Sequence, residues 1–218
     1  MILENKKIKK YKYISFDIFD TLLERKVLLP NEIFRNTGIK VLGKKQGIDF
    51  FYLRQKAEKY CYKELGAKTS LDNIYEQLNK VYGEELSTQL KREEIFQELS
   101  NCYPKKRIKS LYDFANKQNK RILIISDMYL PSDVIKKMLY KCGYSKYEKL
   151  YVSNECSFSK KSGKLFNYVL NDQNISSDEI LHIGDSITAD ILGAKKANIN
   201  SIFVPKRKMI VRKIKDVL

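Results

Sequence analysis

Four polar side chains in this sequence follow short apolar runs, and together they suit the transfer of a phosphoryl group. Asp17 follows KYISF, Ser126 ends RILIIS, Lys160 lies in the loop after LYVS, and Asp185 follows EILHIG. A carboxylate can attack phosphorus and form an acyl phosphate, but it does so against an anion only if the charge is offset. Asp185 can share a Mg²⁺ with Asp17, because Mg²⁺ takes a few carboxylates together with waters and phosphate oxygens. Lys160 adds a positive charge, and Ser126 offers a hydroxyl donor to a phosphate oxygen. Backbone N–H groups over residues 18–20 and at Ser126 and Asp127 can complete an anion cradle. In phosphoryl transfer, positioning and charge neutralisation are most of the catalysis.

These groups meet only if the runs are parallel strands whose C-terminal ends share one edge. Strands are expected at 12–17, 121–126, 150–153, 179–184 and 201–205. Helices are expected around 108–115, at 131–141 between Pro131 and Gly143, at 162–171 and at 187–197. Such alternation predicts a parallel sheet with helices on both faces and its chemistry at the strand ends. Between residue 25 and about 102 the pattern differs. Pro30 and Asn31 open a helical pattern, and four amphipathic segments follow with no convincing strand. In SLDNIYEQLNKVYG, Ser70 suits an N-cap and Gly83 a stop, while Leu71, Ile74, Tyr75, Leu78 and Val81 share a face. In FFYLRQKAEKYCYKEL, Phe50, Phe51, Tyr52 and Tyr60 are expected to build the core of the helical unit. The expected organisation is an α/β core from 1–24 and 104–218, interrupted by an all-helical insert, 25–103, that sits as a lid over the strand ends.

Composition sets the outer bounds. The chain has 218 residues, 31% charged and 43% hydrophobic, which fits one buried core plus a modest extra module. No apolar run approaches the roughly 20 residues that span a bilayer, and the N-terminus lacks a signal-like apolar stretch. A cytoplasmic protein without membrane insertion is expected. The cysteines Cys61, Cys102, Cys142 and Cys156 form no Cys-x-x-Cys pair and read as reduced thiols. The net charge of +16 is spread along the chain without the aromatic-plus-basic signature of a nucleic-acid module. It is expected to be solvated surface, with some attraction for small anionic substrates. Oligomeric state and the role of the basic tail PKRKMIVRKIKDVL stay open.

The motifs, taken in order, resemble those of the haloacid-dehalogenase-like hydrolase superfamily. FDIFDTLL resembles the first motif, IISD the second, FSKKSGKLF the third with Lys160 in the lysine place, and HIGDSITADILGAKKAN the fourth. The resemblance covers residues 12–205. It implies a Rossmann-like three-layer core with a helical cap inserted after the first motif. It also implies an aspartyl-phosphate intermediate on Asp17, and Mg²⁺ held by Asp17, the backbone carbonyl of Phe19, Asp185 and Asp190, the last often from behind the direct ligands. FDIFDTLL with SDMYLP further resembles a branch often found near sugar-transfer and capsule-building enzymes.

One position departs from the superfamily pattern. Phosphatases of this kind carry a second Asp two residues after the nucleophile, to protonate the leaving group and activate water; here that place is Phe19, and Asp20 takes the usual Gly place. Three readings follow: Asp20 turns inward as acid/base, another group or water does so more slowly, or phosphatase chemistry is absent or different. Dehalogenases also lack that Asp, but usually lack the acidic pair that GDSITAD keeps here. Thr21 is expected to orient its loop and to stand with Asp127 at the substrate. Arg54 forms an i, i+4 pair with Glu58, or else points inward to read an anionic or hydroxylated substrate. Arg25 and Arg35 are weaker substrate candidates, and His182, the only histidine, is expected to be a satisfied core residue. The expected activity is hydrolysis of a small phosphorylated metabolite, a sugar, polyol or amino-alcohol phosphate. The rival is a non-catalytic protein on the same fold that docks to a glycosyltransferase or an acidic partner.

Overall fold

The computed structural model describes residues 2–206; the rest of the basic tail lies outside the described residues. The chain begins with α1 (Ile2–Lys10), β1 (Tyr13–Phe16), β2 (Leu23–Arg25), α2 (Glu32–Leu65), α3 (Leu71–Asn101), β3 (Cys102–Pro104) and α4 (Lys106–Lys117). It continues through β4 (Arg121–Ser126), α5 (Ser132–Lys141), β5 (Lys149–Val152), a short α6 (Ser153–Cys156) and α7 (Lys164–Gln173). After β6 (Ile180–Gly184) come a π-type turn (Ile187–Ile191), α8 (Leu192–Lys196) and β7 (Asn200–Phe203). No helix among the described residues is long and apolar enough to cross a membrane.

Among the described residues, five strands pair in parallel in the order β5-β4-β1-β6-β7. Side chains alternate across a strand, and the apolar runs therefore feed two cores. Ile14, Phe16, Ile122 and Ile124 face one side with Ile8 of α1, Ile108 and Leu111 of α4, and Val134 and Met138 of α5. Tyr13, Leu123 and Ile125 face the other with Leu165, Phe166 and Val169 of α7 and Ala194 of α8. Burial on both faces explains why RILIIS is a near-continuous apolar run. The α/β architecture expected from the sequence is present; helix α1 is an addition, anchored by the fully buried Ile8.

The insert is two long helices packed on each other, and its buried residues join the first core. Each helix is broken where a glycine takes positive φ, at Gly43 (φ 77°) and Gly83 (φ 73°), giving four helical pieces. Ser70 caps α3 through a reciprocal capping box with Asn73. Leu71, Ile74, Tyr75 and Leu78 are buried, but Val81 is 59% exposed. It precedes the break at Gly83, and the neighbouring Tyr82 packs on Phe50 instead, ring centroids 6.0 Å apart. Phe50 is buried, whereas Tyr52 and Tyr60 are exposed. The buried stripe of α2 runs Phe50, Arg54, Ala57, Cys61 at helical spacing, which turns both tyrosines to the opposite face.

The insert leaves and rejoins the core through an antiparallel ribbon, β2 with β3, in which Leu23 faces Pro104 and Arg25 faces Cys102. Three-residue strands carry too little periodicity to be read from sequence. The cysteines are all free, and the Cys102 and Cys142 sulfurs lie 3.9 Å apart in the interior.

Candidate active site

The chain runs from β1 out to β4 and β5, then returns to the other side of β1 with β6 and β7. Strand order thus reverses beside β1, the place where open parallel sheets form a crevice. Asp17 stands there, its N–H bonded to the Ile183 carbonyl at 2.9 Å. Its carboxylate is 6% exposed. The Lys160 ammonium donates to Asp17 Oδ1 at 2.6 Å and to Asp190 Oδ1 at 2.5 Å.

The third-motif loop is fixed from two sides. The Lys160 N–H donates to both oxygens of Asp127, at 2.9 and 3.1 Å. On the other side, a Cβ at Gly193 would meet the Lys160 carbonyl oxygen at 2.1 Å, so α8 approaches this loop only because that residue is glycine. Asp190 is wholly engaged: besides Lys160 it accepts the Ser186 N–H at 2.8 Å, and His182 Nε2 lies 3.2 Å from Oδ1. His182 is a satisfied core residue, as the sequence suggests, with Ser15 Oγ 2.9 Å from Nδ1. It also touches the site, which the sequence did not indicate.

Charge follows burial and partners. Burial pushes the Asp17 carboxyl well above the usual carboxylate range; Lys160 opposes this, and Asp190 and Asp185 add to it. Burial would also raise Asp190, but Lys160 and His182 together hold it far below that range. Lys160 stays protonated: burial disfavours its charge, and Asp17 and Asp190 more than compensate. Burial lowers His182, so the ring is neutral at pH 7. Because ionised Asp190 can only accept, Nε2 carries the ring proton and Nδ1 accepts from the Ser15 hydroxyl.

Asp17, Asp185 and Asp190 each offer an oxygen, all within 4.8 Å of one another. Asp185 Oδ1 accepts the Thr21 hydroxyl at 3.3 Å, while Oδ2 is buried without a hydrogen bond. The Lys206 ammonium stands 2.8 Å from that oxygen as an ionic neighbour. Three carboxylates that bring hard oxygen donors this close together fit a Mg²⁺. The Ser126 hydroxyl, on the same cavity, is buried without a hydrogen-bond partner. It ends β4, and α5 begins only at Ser132, so Ser126 is not a helix cap.

Two expected substrate contacts lie elsewhere. Thr21 is fully buried and holds Asp185 instead of facing the cavity. Arg54 is also fully buried and bonds Glu94 at 2.8 and 2.7 Å and Glu58 at 2.8 Å. Its guanidinium packs 4.1 Å from the Phe34 ring centroid and 5.0 Å from that of Tyr129. With those partners, the i, i+4 pair forms and the inward orientation does not. Arg35 is exposed. Arg25 reaches the cavity but commits its guanidinium to Glu98, and it lies 4.3 Å from the Phe19 ring centroid. Phe19, in place of the second Asp, thereby belongs to the packing of the hinge. Asp20 adopts φ 61°, the left-handed conformation that suits the usual Gly, and its carboxylate faces the cavity 3.3 Å from Lys206.

Asp17, Asp20, Ser126, Lys160, Asp185 and Asp190 line a cavity of about 460 Å³, bounded on the insert side by Asn31, Phe34, Gln55, Glu58 and Tyr62. None of the five carries a motif signature, although the Arg54–Glu58 pair was visible as helix spacing. Burial raises the Glu58 carboxyl, and Arg54 opposes the shift.

The family model described as haloacid dehalogenase-like hydrolase matches residues 16–204. No curated protein matches the sequence. Among solved structures, a 2-haloacid dehalogenase from Pseudomonas syringae pv. Tomato DC3000 is similar, with TM-score 0.67 and 13% identity over 88% of this chain and 86% of that one. So is a HAD phosphatase from Thermococcus onnurineus, with TM-score 0.65 and 14% identity over 90% and 87%. A HAD family enzyme from Bacteroides thetaiotaomicron, in complex with magnesium and inorganic phosphate, gives TM-score 0.60 and 16% identity over 90% and 96%. With its motifs at the ends of adjacent parallel strands and the family model matched from β1 to the end of β7, the chain belongs to the haloacid dehalogenase-like hydrolases.

Proposed function

We propose that this chain hydrolyses a small phosphate monoester, a sugar, polyol or amino-alcohol phosphate, in a Mg²⁺-dependent reaction through an aspartyl phosphate on Asp17. The observation that carries the proposal is the buried Asp17 carboxylate, paired with Lys160 at 2.6 Å and clustered with Asp185. The orphan Ser126 hydroxyl at the same cavity supports it. The phosphatase and the magnesium–phosphate complex among the similar structures favour phosphoryl chemistry for this fold. The route proposed for the substrate, surface-polysaccharide building, rests on the resemblance of FDIFDTLL and SDMYLP to the capsule-associated branch alone.

Lys160 holds Asp17 Oδ1, leaving Oδ2 as the attacking oxygen. Ser126 and the N–H of Asp127 receive the phosphate oxygens. Attack forms the Oδ2–P bond and breaks the P–O bond to the leaving group, which takes a proton from Asp20 or from water. Water then attacks phosphorus and releases Asp17 and phosphate, and its proton returns to Asp20. Asp17, Asp185 and the Phe19 carbonyl would hold the Mg²⁺, with Asp190 acting from behind through Lys160. The bound ion supplies charge neutralisation on the phosphate oxygens.

A non-catalytic role is the second reading, favoured by one observation: Phe19 is locked under Arg25 where the second Asp would stand. Phosphate release from an ester library, with and without Mg²⁺, separates the two. Release is expected only with Mg²⁺, and Asp17→Asn is expected to remove about 10³-fold or more of kcat. Asp20→Asn is expected to cost about 10²-fold and to alter the pH profile. Unchanged turnover across pH removes Asp20 from that role. A folded protein that binds no metal and releases no phosphate overturns the proposal.

A further inference from the structure

On the insert side of the cavity the two arginines are paired with carboxylates, while two side-chain acceptors are free. Arg25 gives Nε and Nη2 to Glu98 at 2.8 and 2.9 Å. Arg54, on the far side of the wall, spends its guanidinium on Glu94 and Glu58. Arg54 does not line the cavity, and Arg25, which does, keeps only Nη1 free beside the Glu98 carboxylate that its Nε and Nη2 already hold. Lys59 lines the cavity but is an exposed cation.

Acceptors are placed differently. Glu58 binds Arg54 Nη1 through Oε2, and among the described residues its Oε1 makes no hydrogen bond. Asn31 donates Nδ2 to Gln55 at 3.3 Å, and its carbonyl oxygen likewise makes none. Phe34, Tyr62 and Tyr129 add aromatic surface to the same cavity. Free acceptors beside aromatic faces match a molecule with hydroxyl donors and C–H faces. A second phosphate or a carboxylate would face the Glu58 carboxylate on that wall, with only the Nη1 edge of Arg25 and the exposed Lys59 to answer its charge. An ammonium group would meet a carboxylate whose charge Arg54 already answers.

We infer that the insert selects an uncharged, hydroxylated leaving group of the sugar or polyol class, with Glu58 Oε1 as the acceptor that reads its hydroxyls. Arg54 is the positioning residue: it holds Glu58 and does not itself meet the substrate. The inference rests on the proposal that the cavity binds a phosphate monoester, and it narrows that proposal to two of its three leaving-group classes.

The test compares kcat and KM of the full chain, with Mg²⁺, on hexose 6-phosphate, glycerol 3-phosphate, 3-phosphoglycerate and phosphoethanolamine. The two uncharged leaving groups are expected to be preferred by roughly tenfold or more in kcat/KM, the scale of one hydrogen bond to a charged acceptor. Glu58→Ala is expected to raise KM for those two and to lower their preference over 3-phosphoglycerate by roughly tenfold. Glu58→Gln, which keeps an acceptor oxygen, is expected to recover part of that loss. A proportional fall on all four esters with a lowered Tm means a structural role only and overturns the inference. So does a wild-type preference for 3-phosphoglycerate or phosphoethanolamine. If no ester is hydrolysed, p-nitrophenyl phosphate included, the phosphatase proposal fails by itself. Ligand-observed NMR with hexose 6-phosphate then still reads the wall: weaker binding to Glu58→Ala than to wild type supports the inference, and equal or absent binding overturns it.

Discussion

Asp17 must be ionised to attack phosphorus, yet burial works against its charge. A carboxyl raised in the folded state costs stability above its unfolded value near about 3.9, and the cost disappears as the pH falls below that value. Metal-free Asp17→Asn is therefore expected to melt higher than wild type at pH 7, with the gap closing towards about pH 4. Calorimetry in a chelator checks this, at about 2–4 °C per kcal/mol for a chain of this size; a lower Tm at pH 7 contradicts it. At this scale the sequence was most informative about polar residues that end apolar runs. Asp17, Ser126 and Asp185 lie at strand ends, and a strand end fixes where a side chain emerges. Lys160, in a loop, was legible only through the family motif. The Arg54–Glu58 pair was legible from helix spacing, but that neither Thr21 nor Arg54 would reach the cavity was not, because spacing gives a residue's position and not the partner that captures its side chain. The contact of His182 with Asp190 joins β6 to the turn after it, and no local pattern announces it.

Among the elements, α8 and the loop that carries Lys160 depend on one close approach. At Gly193 an added Cβ would lie 2.1 Å from the Lys160 carbonyl oxygen. A contact that short forces the backbone apart, and the Lys160 ammonium moves with its loop. Gly193→Ala is expected to lower kcat/KM by about tenfold or more, because displacements near 1 Å carry penalties of that order or larger. Steady-state kinetics on a protein with a preserved circular dichroism spectrum checks it; unchanged kcat/KM shows that the loop does not depend on this contact. The elements that the sequence did reveal are those with long periodic patterns: the parallel strands, α4, α5, α7 and the helical pieces of the insert. Those it did not reveal are short, such as β2 and β3, or are decided by tertiary contact, such as α1. Apolar faces within the insert were legible up to Gly83, where the break in direction released Val81 to solvent.

For the molecule as a whole, a formal net charge of +16 surrounds a site built of clustered carboxylates. Mutual repulsion among Asp17, Asp185 and Asp190 is a cost of the metal-free fold, partly met by Lys160 and Lys206. A ligand that binds only the folded state stabilises it, by about 2.7 kcal/mol at a hundred times its Kd. Mg²⁺ is thus expected to raise the Tm of wild type and to leave that of Asp185→Asn nearly unchanged, as read by thermal melts across a Mg²⁺ series. Equal shifts in both proteins place the ion elsewhere.

The ribbon at the root of the insert has a geometric consequence. Leu23 and Pro104 stand opposite each other, so the path between them starts and finishes at one spot on the core. Such a detour has almost no net displacement, so the five parallel strands do not need it to bridge a distance between them. On the proposed function, the groups that would receive a phosphate stand on the sheet edge, while Asn31, Gln55, Glu58 and Tyr62 stand on the detour. Exchanges on the detour are therefore expected to change which ester is preferred before they change the phosphoryl chemistry.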